Sequence, residues 1–162
     1  NCRLISPHLT RLARFMFSKS CEYGLQAMLY IAMNASEDRN VGLREIAVNQ
    51  GIPVHFLSKI LQMLVKSKLL NSVKGPNGGF TLRRKPEETN LLDVVASIDG
   101  LDLFERCGIG LKLCSDNHPC PVHHKFKFLR ESIRDTLCKE NLSDLVFDMQ
   151  EGKSYVALKN KP

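Results

Sequence analysis

Five consecutive residues, Gly75-Pro76-Asn77-Gly78-Gly79, cannot continue a helix. Short strand-like runs flank them, 70–73 before and 80–82 after, so the segment predicts a β-hairpin with a five-residue loop. What precedes the hairpin is helical in period. Leu25, Met28, Leu29 and Ala32 predict a helix over 18–33, with Ser18 or Ser20 as its cap. Leu43, Ile46 and Ala47 predict a short second helix over 41–50. Gly51-Ile52-Pro53 then breaks the chain, because Gly permits a left-handed exit and Pro suits the first turn of a helix. A third helix is predicted over 54–69, burying Phe56, Leu57, Ile60, Leu61, Leu64 and Val65. Helix, short helix, turn, helix, hairpin is the order of a winged helix-turn-helix. The predicted fold class is therefore mainly α with a small β-hairpin wing.

The charge distribution bears on what such a fold would meet. The chain carries a formal charge of +6, and residues 46–86 contain no Asp or Glu. Seven cations lie in that stretch: Lys59, Lys66, Lys68, Lys74, Arg83, Arg84 and Lys85. The rest of the chain is nearly neutral. A solvated face normally mixes signs, so the bias points to a polyanion, and duplex DNA fits. The third helix would enter the major groove. Val54, His55, Ser58 and Lys59 fall on its exposed early turns, and Gln62 follows one turn on. His55, Ser58 and Gln62 offer donors and acceptors to base edges. Lys59 reaches guanine or phosphate. In the wing, Lys74, Gly75 and Asn77 would approach the backbone or minor groove, with Arg83 beyond the returning strand. No nucleophile–base pair, no phosphate-cradling loop running into a helix and no H-E-x-x-H motif supports an enzyme.

Beyond the hairpin, a short helix is predicted over 91–98, a loop over 101–121, a long amphipathic helix over 122–138 and a final short helix over 141–149. Val122, Phe126, Leu129, Ile133 and Leu137 form one seam on the long helix, which predicts a partner helix from a second copy. Crossed with its mate, that helix could hold two wings about one DNA turn apart, roughly 34–36 Å. The organisation expected is a leader over 1–15, a DNA-binding unit over 16–99, a cysteine loop over 100–121, a dimerisation helix with a short terminal helix over 122–149, and a tail over 150–162. No apolar run approaches the roughly 20 residues that cross a bilayer, so no membrane partner is expected. Six cysteines without a recognisable secretory leader suggest a reducing, cytoplasmic setting.

Cys107, Cys114 and Cys120 fall within one Gly-containing loop, spaced x6 and x5, and His123 follows after two more residues. Paired C-x2-C knuckles are absent. Three thiolates on one loop suit an iron–sulfur cluster, a Cys3His zinc site, or unliganded redox thiols. Cys21 and Cys138 fall within helices and are expected to pack as small hydrophobes. His118 and His124 are expected in solvent.

The stretches Leu43-Arg-Glu-Ile-Ala47, Gln50-Gly-Ile52, Phe56-Leu57 and Ile60-Leu61 resemble the Rrf-type family of bacterial winged-helix regulators. So do the wing from Ser72 to Phe80, the opening from Ser18 to Leu25 and the run Leu91-Leu-Asp-Val94. The resemblance implies homodimers on near-palindromic operator DNA, repressors among them. It also implies that the three cysteines hold a 2Fe–2S or 4Fe–4S cluster as redox, nitric-oxide or iron–sulfur sensor. Two fourth ligands are implied: His123 from the same loop, or Glu22 from the first helix of the mate. The six-residue first spacing departs from the five commonest in the family. The alternative is a regulator of the same fold without a cluster, controlled by a small ligand, thiol oxidation or a protein partner.

Overall fold

A computed structural model describes residues 16–156. The leader expected over 1–15 and the last residues of the tail lie outside the described residues. The helices are α1 (Lys19–Asn34), α2 (Leu43–Gln50), α3 (Val54–Lys66), α4 (Leu91–Ile98), α5 (His123–Lys139) and α6 (Leu142–Gln150). The strands β1 (Leu70–Val73) and β2 (Gly79–Leu82) form one antiparallel hairpin, with Leu70 opposite Leu82 and Val73 opposite Gly79.

Ser18 caps α1, its hydroxyl accepting from the Cys21 N–H at 3.1 Å. The deepest residues of α1 are Cys21, Gly24, Ala27, Met28 and Ile31, while Leu25, Leu29 and Ala32 are half-buried. The buried face is thus rotated from the expected seam, because α3, α4 and α6 all pack on this helix. Gly51 ends α2 in the left-handed region at φ 64°, as the Gly-Ile-Pro break implied. Pro53 stands one place before α3, as its N-cap residue.

Several boundaries shift by a residue, β2 starting at Gly79 among them, and two larger differences serve the wing. Val41 is extended and fully buried, exchanging backbone hydrogen bonds with Phe80 at 3.0 and 2.9 Å. It belongs to the sheet rather than to α2, which suits its β-branched side chain. At the other end α3 stops at Lys66. Lys68 takes a positive φ of 61°, and this turn carries Leu69 and Leu70 inward. A wing hung on two buried leucines and on Val41 is fixed relative to α3.

The main core joins Met28 and Ile31 to Ile46, Leu57, Leu61, Leu64, Leu70, Val94 and Leu142, all fully buried. Leu142 belongs to α6, so the last helix packs back on the N-terminal elements. The Leu142 N–H donates to the Thr89 carbonyl at 2.9 Å, and the Leu91 N–H to the Glu140 carbonyl at 3.1 Å. A second, smaller cluster seats α5 on α1 and α4 through Leu137, Val95 and Cys21. Cys21 is therefore a core residue as expected, and burial pushes its thiol up to about 12.

Three packing expectations need correction. Phe56 is 52% exposed, since the seam of α3 runs through Leu57, Ile60, Leu61 and Leu64 and Phe56 sits about 100° round from Leu57. Cys138 is exposed, because Leu137 is the residue that α5 turns inward. The α5 seam is also divided: Ile133 and Leu137 pack within the chain, whereas Leu129 is exposed beside Phe128. Among the described residues no helix is long and apolar enough to cross a membrane.

Candidate functional site

Two surfaces carry the residues singled out by sequence. The first is the outer side of α3 with the wing. Leu57, Leu61 and Leu64 pin α3 to the core, which leaves Val54, His55, Lys59 and Gln62 exposed and Ser58 half-buried. Phe56 joins this row unexpectedly, its ring centroid 4.5 Å from that of His55. It lies at the edge of the buried face of Leu57, Ile60, Leu61 and Leu64, one turn before Ile60, so the period alone did not mark it as exposed. Lys74, Gly75, Asn77 and Arg83 are all exposed on the hairpin and its exit. The Asn77 carbonyl accepts from Asn40 Nδ2 at 3.0 Å, tying the loop to the segment before α2. Gly78 is required by the turn itself: a Cβ there would stand 2.3 Å from the Val73 carbonyl oxygen. Arg84 pairs with Asp93 at 3.3 Å, and so belongs partly to α4.

The second surface is the loop before α5. It brings Cys107, Cys114 and Cys120 together, with all three sulfurs within 4.8 Å of one another. Cys107 and Cys120 sulfurs are 3.7 Å apart. Gly108 makes room for the start of this loop against α5, where a Cβ would fall 2.3 Å from the Phe126 ring. His123 opens α5 and is nearly buried, with its Nδ1 3.1 Å from the Cys114 sulfur. Its Nε2 lies 2.8 Å from Asp116 Oδ1. Lys127, one helical turn on, donates to both Asp116 oxygens at 2.9 and 2.8 Å.

Electrostatics differ among these groups. Hydrogen bonding from the Ile109 backbone, helped by Leu111 and the neighbouring thiols, lowers Cys107 to about 7 against the cost of burial. At Cys114 the Cys120 backbone pulls downward, but burial and the adjacent Cys120 and Cys107 thiols hold the thiol above its ordinary value. Lys127 first, then His123, holds Asp116 down at about 2. Asp116 and Lys127 were not singled out by sequence; the Asp lies four residues ahead of Cys120 with no motif to mark it. Glu22 is not part of this group of sulfurs. It pairs with Lys19 at 2.6 Å on α1. His118 and His124 are exposed, as expected.

Three helices followed by a hairpin, with Val41 bridged to its second strand, define a winged helix-turn-helix protein. The chain belongs to the Rrf2 family: the family pattern, described as an iron-dependent transcriptional regulator, matches residues 17–148. A candidate HTH-type regulator of Aquifex aeolicus is 35% identical over 133 residues, covering 81% of this chain and 91% of that protein. The HTH-type transcriptional regulator IscR of Xenorhabdus nematophila is 32% identical over 124 residues, 76% of this chain and 74% of that one. Among solved structures, IscR of T. potens superposes with a TM-score of 0.70 at 26% identity, covering 89% of this chain and 95% of that chain. CymR, the global cysteine regulator of B. subtilis, shares the fold at a TM-score of 0.68 and 22% identity, over 81% and 95% of the two chains.

Proposed function

We propose that the chain is a homodimeric transcriptional regulator that binds operator DNA through α3 and the wing and senses redox, nitric oxide or iron–sulfur status through its three-cysteine loop. The DNA reading rests on the exposed row of Val54, His55, Ser58, Lys59 and Gln62 beside a wing carrying Lys74 and Arg83, within a stretch free of acids. Phosphate contacts fix position and base contacts specify sequence. Lys74→Ala is expected to weaken binding to operator and random duplexes by a similar factor. Ser58→Ala and Gln62→Ala should instead cost more on the operator, about 1–3 kcal/mol per lost base contact. Gel-shift or anisotropy titrations on both duplexes make the comparison. Equal losses for Ser58→Ala and Gln62→Ala on both would remove them from base reading.

The sensing reading rests on three sulfurs gathered within 4.8 Å of one another, with one imidazole nitrogen 3.1 Å from the Cys114 sulfur. Thiolates with a histidine are a donor set that suits iron–sulfur centres. Cys107, Cys114 and Cys120 would hold the cluster, with His123 the fourth ligand supported by its position against Cys114. Such a cluster supplies a group whose loss or modification reports oxidant, nitric oxide or iron supply. The protein's own part is to hold the loop on the first turn of α5, the helix through which a second copy would cross, so that the state of the loop can bias the spacing of two α3 helices.

The same geometry also admits a second occupant. A tetrahedral ion with metal–sulfur bonds of about 2.3 Å places ligand atoms roughly 3.8 Å apart, and the Cys107–Cys120 separation of 3.7 Å suits that edge. A single zinc is then the rival. Iron, sulfide and zinc analysis after anaerobic purification separates the two, with iron and sulfide expected. His123→Ala is expected to change the visible spectrum and lower iron content, and Glu22→Ala to leave both near wild type. The reverse pattern would assign the fourth ligand to Glu22 of the mate and would link cluster binding to dimer formation.

A further inference from the structure

The imidazole of His123 is held at both ends. It is 8% exposed, and its two ring nitrogens face different groups: Nδ1 the Cys114 sulfur at 3.1 Å, Nε2 the Asp116 carboxylate at 2.8 Å. A neutral imidazole carries one N–H and one lone pair, and an ionised carboxylate can only accept. Asp116 therefore selects the tautomer with hydrogen on Nε2, leaving the Nδ1 lone pair facing the Cys114 sulfur.

Asp116 is itself fixed. Its Oδ1 takes both His123 Nε2 and Lys127 Nζ, and its Oδ2 takes Lys127 again. His123 and Lys127 are four residues apart, on one face of α5. The turn that carries Asp116 is closed by backbone hydrogen bonds between Ser115 and His118 at 3.2 and 3.1 Å. An exposed Asp–Lys pair alone would contribute little. Here it orients a nearly buried ring whose two nitrogens face Cys114 and Asp116, with the His124 ring edge-on at 5.1 Å.

We infer that Asp116, steadied by Lys127, is a positioning residue that holds His123 Nδ1 at the Cys114 edge of the three-cysteine site as a metal-facing donor. The inference deepens the sensing reading and rests on it for the identity of the metal, though the orientation of the ring stands apart from it. A histidine that donates its other N–H to a carboxylate is a recurring support of metal centres, and its loss typically costs 10–100-fold in metal affinity.

Two measurements on the full chain test this. Nitrogen-15 NMR of metal-free protein should show His123 with hydrogen on Nε2 in the wild type and a mixture of tautomers in Asp116→Ala. An unchanged tautomer in Asp116→Ala would overturn the inference whether or not the chain binds iron. In anaerobically purified, iron-loaded protein, Asp116→Ala should speed iron loss to a chelator about 10–100-fold. The same substitution in a His123→Ala background should add little. Equal acceleration in both backgrounds would mean that Asp116 merely tacks the loop to α5, and the inference would fail. Lys127→Met should show the same dependence on His123 with a smaller effect. If the NMR result holds and the wild type takes up no iron, the sensing reading fails while the positioning role of Asp116 stands.

Discussion

Replacing Cys114 by serine is expected to remove nearly all bound iron from the anaerobically purified protein. Cys114 is the residue that touches both halves of the site: its sulfur lies within 4.8 Å of the other two and 3.1 Å from His123 Nδ1. A serine hydroxyl stays protonated near neutral pH and is a poor partner for iron, so one metal corner would open to solvent. Cys107→Ser and Cys120→Ser are expected to do the same, because the three act as one unit. Cys138→Ser is the control, since that thiol is exposed on the far end of α5 and should leave iron per chain near wild type. Retention of full iron in all three loop variants would exclude the loop as the binding site.

Leu61→Ala is expected to lower stability by about 2–5 kcal/mol. Leu61 is fully buried at the centre of α3, between Leu57 and Leu64, where α1 and α4 meet it. The expected loss in midpoint temperature is about 5–15 °C for a domain of this size. Phe56→Ala, on the same helix, should change stability by less than about 1 kcal/mol, because half of that ring is already in water. Comparable losses for both would mean that α3 is rotated from the orientation described, and with it the row from Val54 to Gln62.

The elements that sequence exposed most clearly are those with a local cause. Gly51 and Pro53 mark a turn because few other residues tolerate its backbone, and the glycine-rich run from Gly75 marks the wing for the same reason. Burial of Leu57, Ile60, Leu61 and Leu64 follows from period alone. What sequence could not place depends on partners distant along the chain. Val41 resembles a helix start until Phe80 is brought beside it. The inner face of α1 is set by α2, α3, α4, α6 and β2 rather than by its own pattern. Leu142 shows no sign, in its own segment, of reaching the N-terminal core.

The candidate site divides in the same way. Cysteine spacing within one loop made Cys107, Cys114 and Cys120 visible, and their convergence needed no long-range information. The part played by Asp116 was invisible, because an aspartate in a polar loop is ordinary until a histidine and a lysine on one helix face turn toward it.

The most direct test of DNA recognition by α3 and the wing is the salt dependence of the dissociation constant on promoter duplex. Each neutralised phosphate contributes about −0.9 to the slope of log affinity against log salt. With cations such as Lys59, Lys66, Lys74 and Arg83 presented by each subunit of a dimer, a slope of about −4 or steeper is expected, and Lys74→Ala should make it shallower. A flat dependence, or one unchanged by Lys74→Ala and Arg83→Ala together, would contradict the account.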